Sequence, residues 1–185
     1  MVIIITGASH TGKTTLAQQL LEQLHFPYLS IDHLKMGLIR SGMLDLTPEQ
    51  DEELTDRLWP IVREMIKTVI ENEQNLIVEG LYVPNDWAKG FDKKYLEQIE
   101  CICLVMTEKY IRNHFDDIKL YANTTEKRVN DDYCTLKNLT EDNARFADFA
   151  RQEGVCAVVA DEKYDINSDW LKENTDFFEK IEKRY

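Results

Sequence analysis

Cysteine is scarce in this chain: four occur in 185 residues, Cys101, Cys103, Cys134 and Cys156, without Cys-x-x-Cys or His-x₃-His metal spacing. That excludes a disulfide framework and a zinc module, and the four are read as free, mostly buried thiols. With seven glycines and four prolines there is no low-complexity linker, and no internal repeat is visible. No apolar run approaches the roughly 20 residues of a membrane-spanning helix. Basic side chains are in deficit, 22 against 34 acidic ones, for a net charge of −12. A surface of that sign does not hold a polyanion, so DNA and RNA are not expected as partners. A strand and a loop take the positions where a leader's charged and apolar regions would lie, so a cytoplasmic, reducing location is expected, with no membrane partner.

Against these absences stands one dense motif. Residues Gly7, Ala8, Ser9, His10, Thr11, Gly12, Lys13 and Thr14 read Gly-x-x-x-x-Gly-Lys-Thr and directly follow the apolar run Val2–Thr6. Such a loop turns backbone N–H groups inward around a polyphosphate; Lys13 reaches the β/γ-phosphates, the Thr14 hydroxyl ligates Mg²⁺, and Thr15 is placed for another phosphate oxygen. Leu16, Ala17, Leu20, Leu21 and Leu24 then repeat at helical spacing, completing strand–loop–helix.

The same alternation continues. Val2–Thr6, Tyr28–Ile31, Leu76–Val78, Ile102–Met106 and Val155–Val159 are short strands between amphipathic helices, which predicts a three-layer α/β/α fold on a roughly five-stranded parallel sheet covered on both faces. The 185 residues fit one domain. Thr47-Pro48-Glu49-Gln50 predicts a helix start. The helix beyond it buries Leu54, Leu58, Ile61, Val62, Met65, Ile66 and Val69, with Pro60 kinking or dividing it. A further helix starts at Leu139 and stops at Gly154, and a terminal helix spans Ser168 to Lys183. The polar segment around residues 112–138 is expected to be a small mobile lid.

Ligands of parallel sheets bind beyond the carboxyl ends of the strands. Asp32 closes the second strand, where it holds a Mg²⁺-bound water or accepts a proton from an attacking hydroxyl; alternatively it caps the helix from His33. Glu79 closes the third strand at the Walker-B position and supports the metal, or is a turn carboxylate; Gly80 permits close approach of backbone and ligand. Lys35 and Arg40 are candidates for anchoring an acceptor, or solvated charges. Arg112, Arg128 and Arg145 lie in or around the lid and could neutralise transition-state charge or form surface ion pairs. His10 and His33 have no visible partner in the sequence pattern and suggest local hydrogen bonding. Tyr82, Trp87 and Phe91 wall an acceptor pocket or pack in the core.

Taken together, these residues resemble the small P-loop kinases of the nucleoside-monophosphate-kinase superfamily, which includes shikimate and gluconate kinases, chloramphenicol phosphotransferase and zeta-toxin-like kinases. The resemblance rests on GASHTGKT, on Leu29 to Lys35 continuing to Arg40-Ser41-Gly42, and on Leu76 to Gly80. It implies ATP and Mg²⁺ as ligands and a small-molecule phosphate acceptor held by helices within residues 33–72. It further implies metal support from Thr14, Asp32 and Glu79, acceptor contacts from Asp32, Lys35, Arg40, Glu79 and Gly80, and catalysis by Lys13, Asp32 and a lid arginine, Arg128. The reaction expected is transfer of the γ-phosphoryl group of ATP. The alternative is a nucleotide-binding regulator or a P-loop ATPase without kinase activity. A GTP switch is disfavoured, because Asp-x-x-Gly and Asn-Lys-x-Asp are missing.

Overall fold

Six buried residues, Val2–Gly7, form the central strand β1. Val2 and Ile4 point into one core cluster while Ile3 and Ile5 point into the other. An uninterrupted apolar run is what a strand covered on both faces requires. In this computed structural model, which describes residues 1–125, 133–174 and 178–179, the chain continues as α1 (Lys13–Leu24), β2 (Tyr28–Ser30), α2 (Ile31–Arg40), α3 (Asp51–Glu71) and β3 (Leu76–Glu79). It then forms α4 (Lys93–Leu96), β4 (Ile99–Met106), α5 (Glu108–Asn113), α6 (Phe115–Thr125), α7 (Leu136–Glu153), β5 (Cys156–Ala160) and α8 (Ser168–Asn174).

The five strands lie in the order β2-β3-β1-β4-β5 with every pairing parallel. One core cluster unites β1, β3 and β4 with Leu16, Ala17 and Leu20 of α1. The other unites the opposite faces with α3 and α7. Coverage on both faces holds at the centre of the sheet and fails at β5, where Cys156, Ala157 and Val159 are exposed, Val159 by 46%. An edge strand has a neighbour on one side only, so the helices over the sheet need not reach it.

Several local expectations shift. The turn Thr47–Gln50 makes half of a capping box, since the Thr47 N–H donates to Gln50 Oε1 (2.8 Å), yet α3 starts only at Asp51. Pro60 does not divide α3, which runs undivided over 21 residues. Pro60 is exposed, and Leu58, Trp59 and Val62 hold both halves against the sheet, so packing offsets the lost N–H bond. The buried stripe is Leu54, Leu58, Trp59, Val62, Ile66 and Ile70, leaving Ile61 and Met65 exposed. Helix α7 starts three residues early, capped by the Thr135 hydroxyl, which accepts from the Asn138 N–H. It ends at Gly154, at φ 65°. Of the expected lid, residues 126–132, Arg128 among them, lie outside the described residues. So does most of the terminal helix beyond Asn174. The four cysteines are unbridged thiols, but only Cys103 and Cys134 are buried.

Candidate active site

The phosphate loop leaves β1 through Gly7, whose φ of 138° and close approach to β4 demand glycine: a Cβ there would lie 2.2 Å from the Leu104 carbonyl oxygen. The loop is closed from inside. The Thr11 hydroxyl and the Lys13 ammonium both donate to the Ala8 carbonyl oxygen at 2.8 Å, and both residues are buried. His10 adopts φ 68°, a left-handed conformation uncommon outside glycine. Gly12 caps α1 at φ 80°, and a Cβ on it would fall 1.9 Å from the hydroxyl of Tyr164. That hydroxyl donates to the Thr11 carbonyl oxygen at 3.0 Å. The residue is partly exposed, but desolvation of the hydroxyl where it meets the loop pushes the phenol up to about 12, so it stays a donor.

Thr14 lies in the first turn of α1 with its hydroxyl 3.4 Å from Glu79 Oε2, a long donor distance; Thr15 beside it is exposed. Glu79 is 2% exposed and is registered against Ile5 of β1 on one side and Ser30 of β2 on the other. Asp32 comes two residues after Ser30. Three adjacent strand ends therefore carry the loop, Glu79 and Asp32. Asp32 does not cap α2; Ser30 occupies that position, and Asp32 lies within the first turn. The close approach at Gly80 is to Ile31 of α2, whose Cβ would be 2.9 Å from a Cβ on Gly80.

Beyond Asp32 runs a line of hydrogen bonds the sequence did not announce. Asp32 Oδ1 pairs with Lys35 Nζ at 2.8 Å, Lys35 donates to the Tyr82 hydroxyl at 2.7 Å, and Tyr82 donates to Asp51 Oδ1 at 3.1 Å. Lys35 is 8% exposed and Tyr82 is fully enclosed. Burial, reinforced by the Asp32 and Asp51 carboxylates, drives the Tyr82 phenol far above its ordinary range. Burial likewise raises Asp51, against the opposing pull of the Tyr82 hydrogen bond and Lys35. Arg40 is not brought to this group: it is exposed in the last turn of α2, about 7.5 Å further along the helix axis than Lys35. Trp87 and Phe91 pack with Trp59 and Tyr95 in the core rather than lining a pocket. Arg112 pairs with Glu108 and Arg145 with Asp142. His33 is exposed. Sequence reasoning misses Asp51 and the hydroxyl of Tyr82 because neither sits in a motif; an aspartate opening a long helix reads as a dipole partner.

Behind Asp51 opens a cavity of about 320 Å³ between α3, the segment after Glu79, and α7. Among the described residues no group of three or more His, Cys, Asp or Glu side chains could hold a metal alone. The Thr14 hydroxyl and the Glu79 and Asp32 carboxylates are hard oxygen donors that suit Mg²⁺, which keeps waters and takes substrate phosphates into its shell.

The family model for the AAA domain matches residues 2–114, from β1 through α5. The chain belongs to the AAA domain family. Among solved structures, this AAA domain is similar to the shikimate kinase of Acinetobacter baumannii in complex with shikimate, with a TM-score of 0.59 at 13% identity over 97% of this chain and 93% of that one. It is similar to a gluconokinase from Sinorhizobium meliloti 1021, at TM-score 0.55 and 12% identity over 99% and 94%. It is also similar to the YorR protein of Bacillus subtilis in complex with phosphorylated GDP, at TM-score 0.56 and 16% identity over 100% and 99%. No curated protein sequence matches it. The fold is thus the one that these solved kinases share. Among the described residues no helix is long and apolar enough to cross a membrane.

Proposed function

We propose that the chain is a phosphotransferase that moves the γ-phosphoryl group of Mg·ATP to a hydroxyl of a small molecule. The observation that carries this reading is the convergence of three neighbouring strand ends, which bear the phosphate loop, Glu79 and Asp32. In phosphoryl transfer the protein does little covalent chemistry; it positions groups and neutralises charge. The loop N–H groups and the N-terminus of α1 receive the phosphates, and the Lys13 ammonium, held over the loop by Ala8, stabilises the transferring group. Mg²⁺, when bound, neutralises phosphate charge. Thr14 and Glu79, with Asp32 beside them, are the residues that would hold it. Asp32, steadied by Lys35, orients the acceptor hydroxyl and takes its proton.

The test is ADP formation from Mg·ATP by the purified protein, with and without a panel of sugars, sugar acids, nucleosides, nucleotides, amino alcohols and antibiotics. Acceptor-dependent ADP establishes the kinase. Tight ATP binding with no stimulated turnover would favour a nucleotide-binding regulator, and acceptor-independent turnover an ATPase.

A further inference from the structure

The segment after β3 runs close against α2. Ile31 and Lys35 are the buried residues of α2 and lie one helical turn apart on the same face. Gly80 meets the first of them, where a Cβ would sit 2.9 Å from the Ile31 Cβ. Tyr82, two residues on, meets the second, its hydroxyl 2.7 Å from Lys35 Nζ. Tyr82 also shares a core cluster with Leu54 and Leu58 of α3, and its hydroxyl donates to Asp51 Oδ1, at the start of that helix, at 3.1 Å. Helices α2 and α3 and the segment after β3 thus converge on one phenol.

The directions of these bonds follow from the groups themselves. An ammonium only donates, so the Tyr82 hydroxyl accepts from Lys35 and sends its own proton to Asp51. Asp51 thereby keeps the lone pairs of that hydroxyl turned toward Lys35. A lysine stem is flexible, but with Nζ held at 2.7 Å by Tyr82 and at 2.8 Å by Asp32 its end is pinned. Exposure rises along the line toward the strand ends: Tyr82 is enclosed, the Lys35 side chain is 11% exposed and that of Asp32 40%. A lysine buried for stability alone is an expensive choice, because an apolar side chain of like volume often serves as well. Here the buried cation spans from a fixed hydroxyl to the carboxylate that follows β2.

We infer that Tyr82 and Asp51 are positioning residues for phosphoryl transfer. Asp51 orients the Tyr82 hydroxyl, Tyr82 holds the Lys35 ammonium, and Lys35 fixes Asp32 by one carboxylate oxygen, Oδ1, so that the other, Oδ2, meets the acceptor hydroxyl. The inference rests on the kinase reading. Neither residue touches a reactant; both act through Lys35, on the rate of the chemical step rather than on the binding of ATP.

The variants Tyr82→Phe, Asp51→Ala and Asp51→Asn test this. Phenylalanine keeps the ring in the core without its hydroxyl, alanine removes the acceptor of the hydroxyl proton, and asparagine keeps an oxygen that accepts it. ADP formation from Mg·ATP is followed with the panel compound that gives the parent protein its fastest turnover, in variants that circular dichroism shows to be folded. In Tyr82→Phe and Asp51→Ala kcat is expected to fall about ten- to hundredfold, the scale for misplacing a reacting group, with both KM values within about twofold of the parent. Asp51→Asn is expected to restore most of kcat. A contact that serves the fold alone would change the denaturation midpoint and leave kcat per folded molecule as it was. Parental kcat in folded Tyr82→Phe or Asp51→Ala, losses confined to KM, or no recovery in Asp51→Asn each overturns the inference. If Tyr82→Phe does not fold, the two Asp51 variants decide alone.

The carboxyl ¹³Cγ signal of Asp32 gives a reading that needs no acceptor. It is expected to move in Tyr82→Phe and Asp51→Ala, and to move less in Asp51→Asn; an unmoved signal in Tyr82→Phe and Asp51→Ala overturns the inference. The kinase reading fails separately. If no panel compound raises ADP formation by the parent protein, that reading falls, and the carboxyl signal still decides whether Tyr82 and Asp51 hold Asp32.

Discussion

The hydroxyl of Tyr164, in the turn after β5, donates to the carbonyl oxygen of Thr11 in the phosphate loop, 153 residues away in sequence. The same hydroxyl occupies the space a side chain on Gly12 would need. The turn beyond the last strand is thereby fastened to the loop that begins after the first. Tyr164→Phe removes one hydrogen bond, a loss of about 0.5–1.5 kcal/mol, and loosens the loop. Urea denaturation is expected to show that modest loss, and calorimetry a weaker ATP affinity. Gly12→Ala combines a left-handed backbone with overlap on Tyr164 and costs about 1–3 kcal/mol in backbone strain alone. A Gly12→Ala protein that binds ATP as tightly as the parent would show that the loop relaxes without help from Tyr164.

Lys13→Ala is expected to leave the fold intact, since the bond from its ammonium to Ala8 lies within the loop itself. Turnover should fall by at least about 10²-fold, the scale for losing one charge-stabilising donor. Acceptor-dependent ADP formation measures the fall in turnover, and far-ultraviolet circular dichroism the fold. An active, normally folded variant would remove the kinase reading.

Asp32→Asn keeps the shape and discards the charge. If Asp32 serves the acceptor hydroxyl, kcat falls steeply while ATP affinity changes little. Equal losses in turnover and nucleotide binding would assign Asp32 to the metal instead. Because Lys35 is buried and leans on this carboxylate, a small drop in stability should accompany the change.

The burial of the Asp51 carboxyl predicts a pH dependence. Asp51 is raised above its unfolded value chiefly by burial, so between the two values the folded chain holds the proton more often than the unfolded chain. Stability is then fully favoured below the unfolded value of 3.8 and declines as pH rises toward the folded one. Asp51→Asn, which still accepts from Tyr82, should flatten that decline in denaturation measured from pH 4 to pH 7. A decline of unchanged slope would place its origin in another group. Tyr82→Phe should cost about 1–3 kcal/mol, because it strips a buried acceptor from Lys35 and a donor from Asp51.

Much of the fold is legible in the sequence because each signal is local. The alternation of β1 residues between two faces, the Gly-Lys-Thr of the loop and the Thr-to-Gln turn before α3 are all read from neighbours within a few positions. Pro60 reads as a break because propensity weighs the backbone alone, whereas Leu58, Trp59 and Val62 pin both sides of it to the sheet. Ile61 and Met65 read as buried for a related reason. On the undivided helix both lie at the edge of the buried face, beside Leu54, and stay partly in solvent, at 41% and 37% exposed.

At the site the division is equally clear. A phosphate loop, with acidic residues ending two other strands, follows from residue order alone, since in parallel sheets strand ends gather on one edge. That Lys35 is buried, that Tyr82 joins it to Asp51, and that Tyr164 locks Gly12 were decided only in three dimensions. Each of these contacts spans between 31 and 153 residues. Hydrogen bonds form between atoms a few ångströms apart, and a linear pattern holds no record of which distant side chains the packing of α2, α3 and the last turn will bring together.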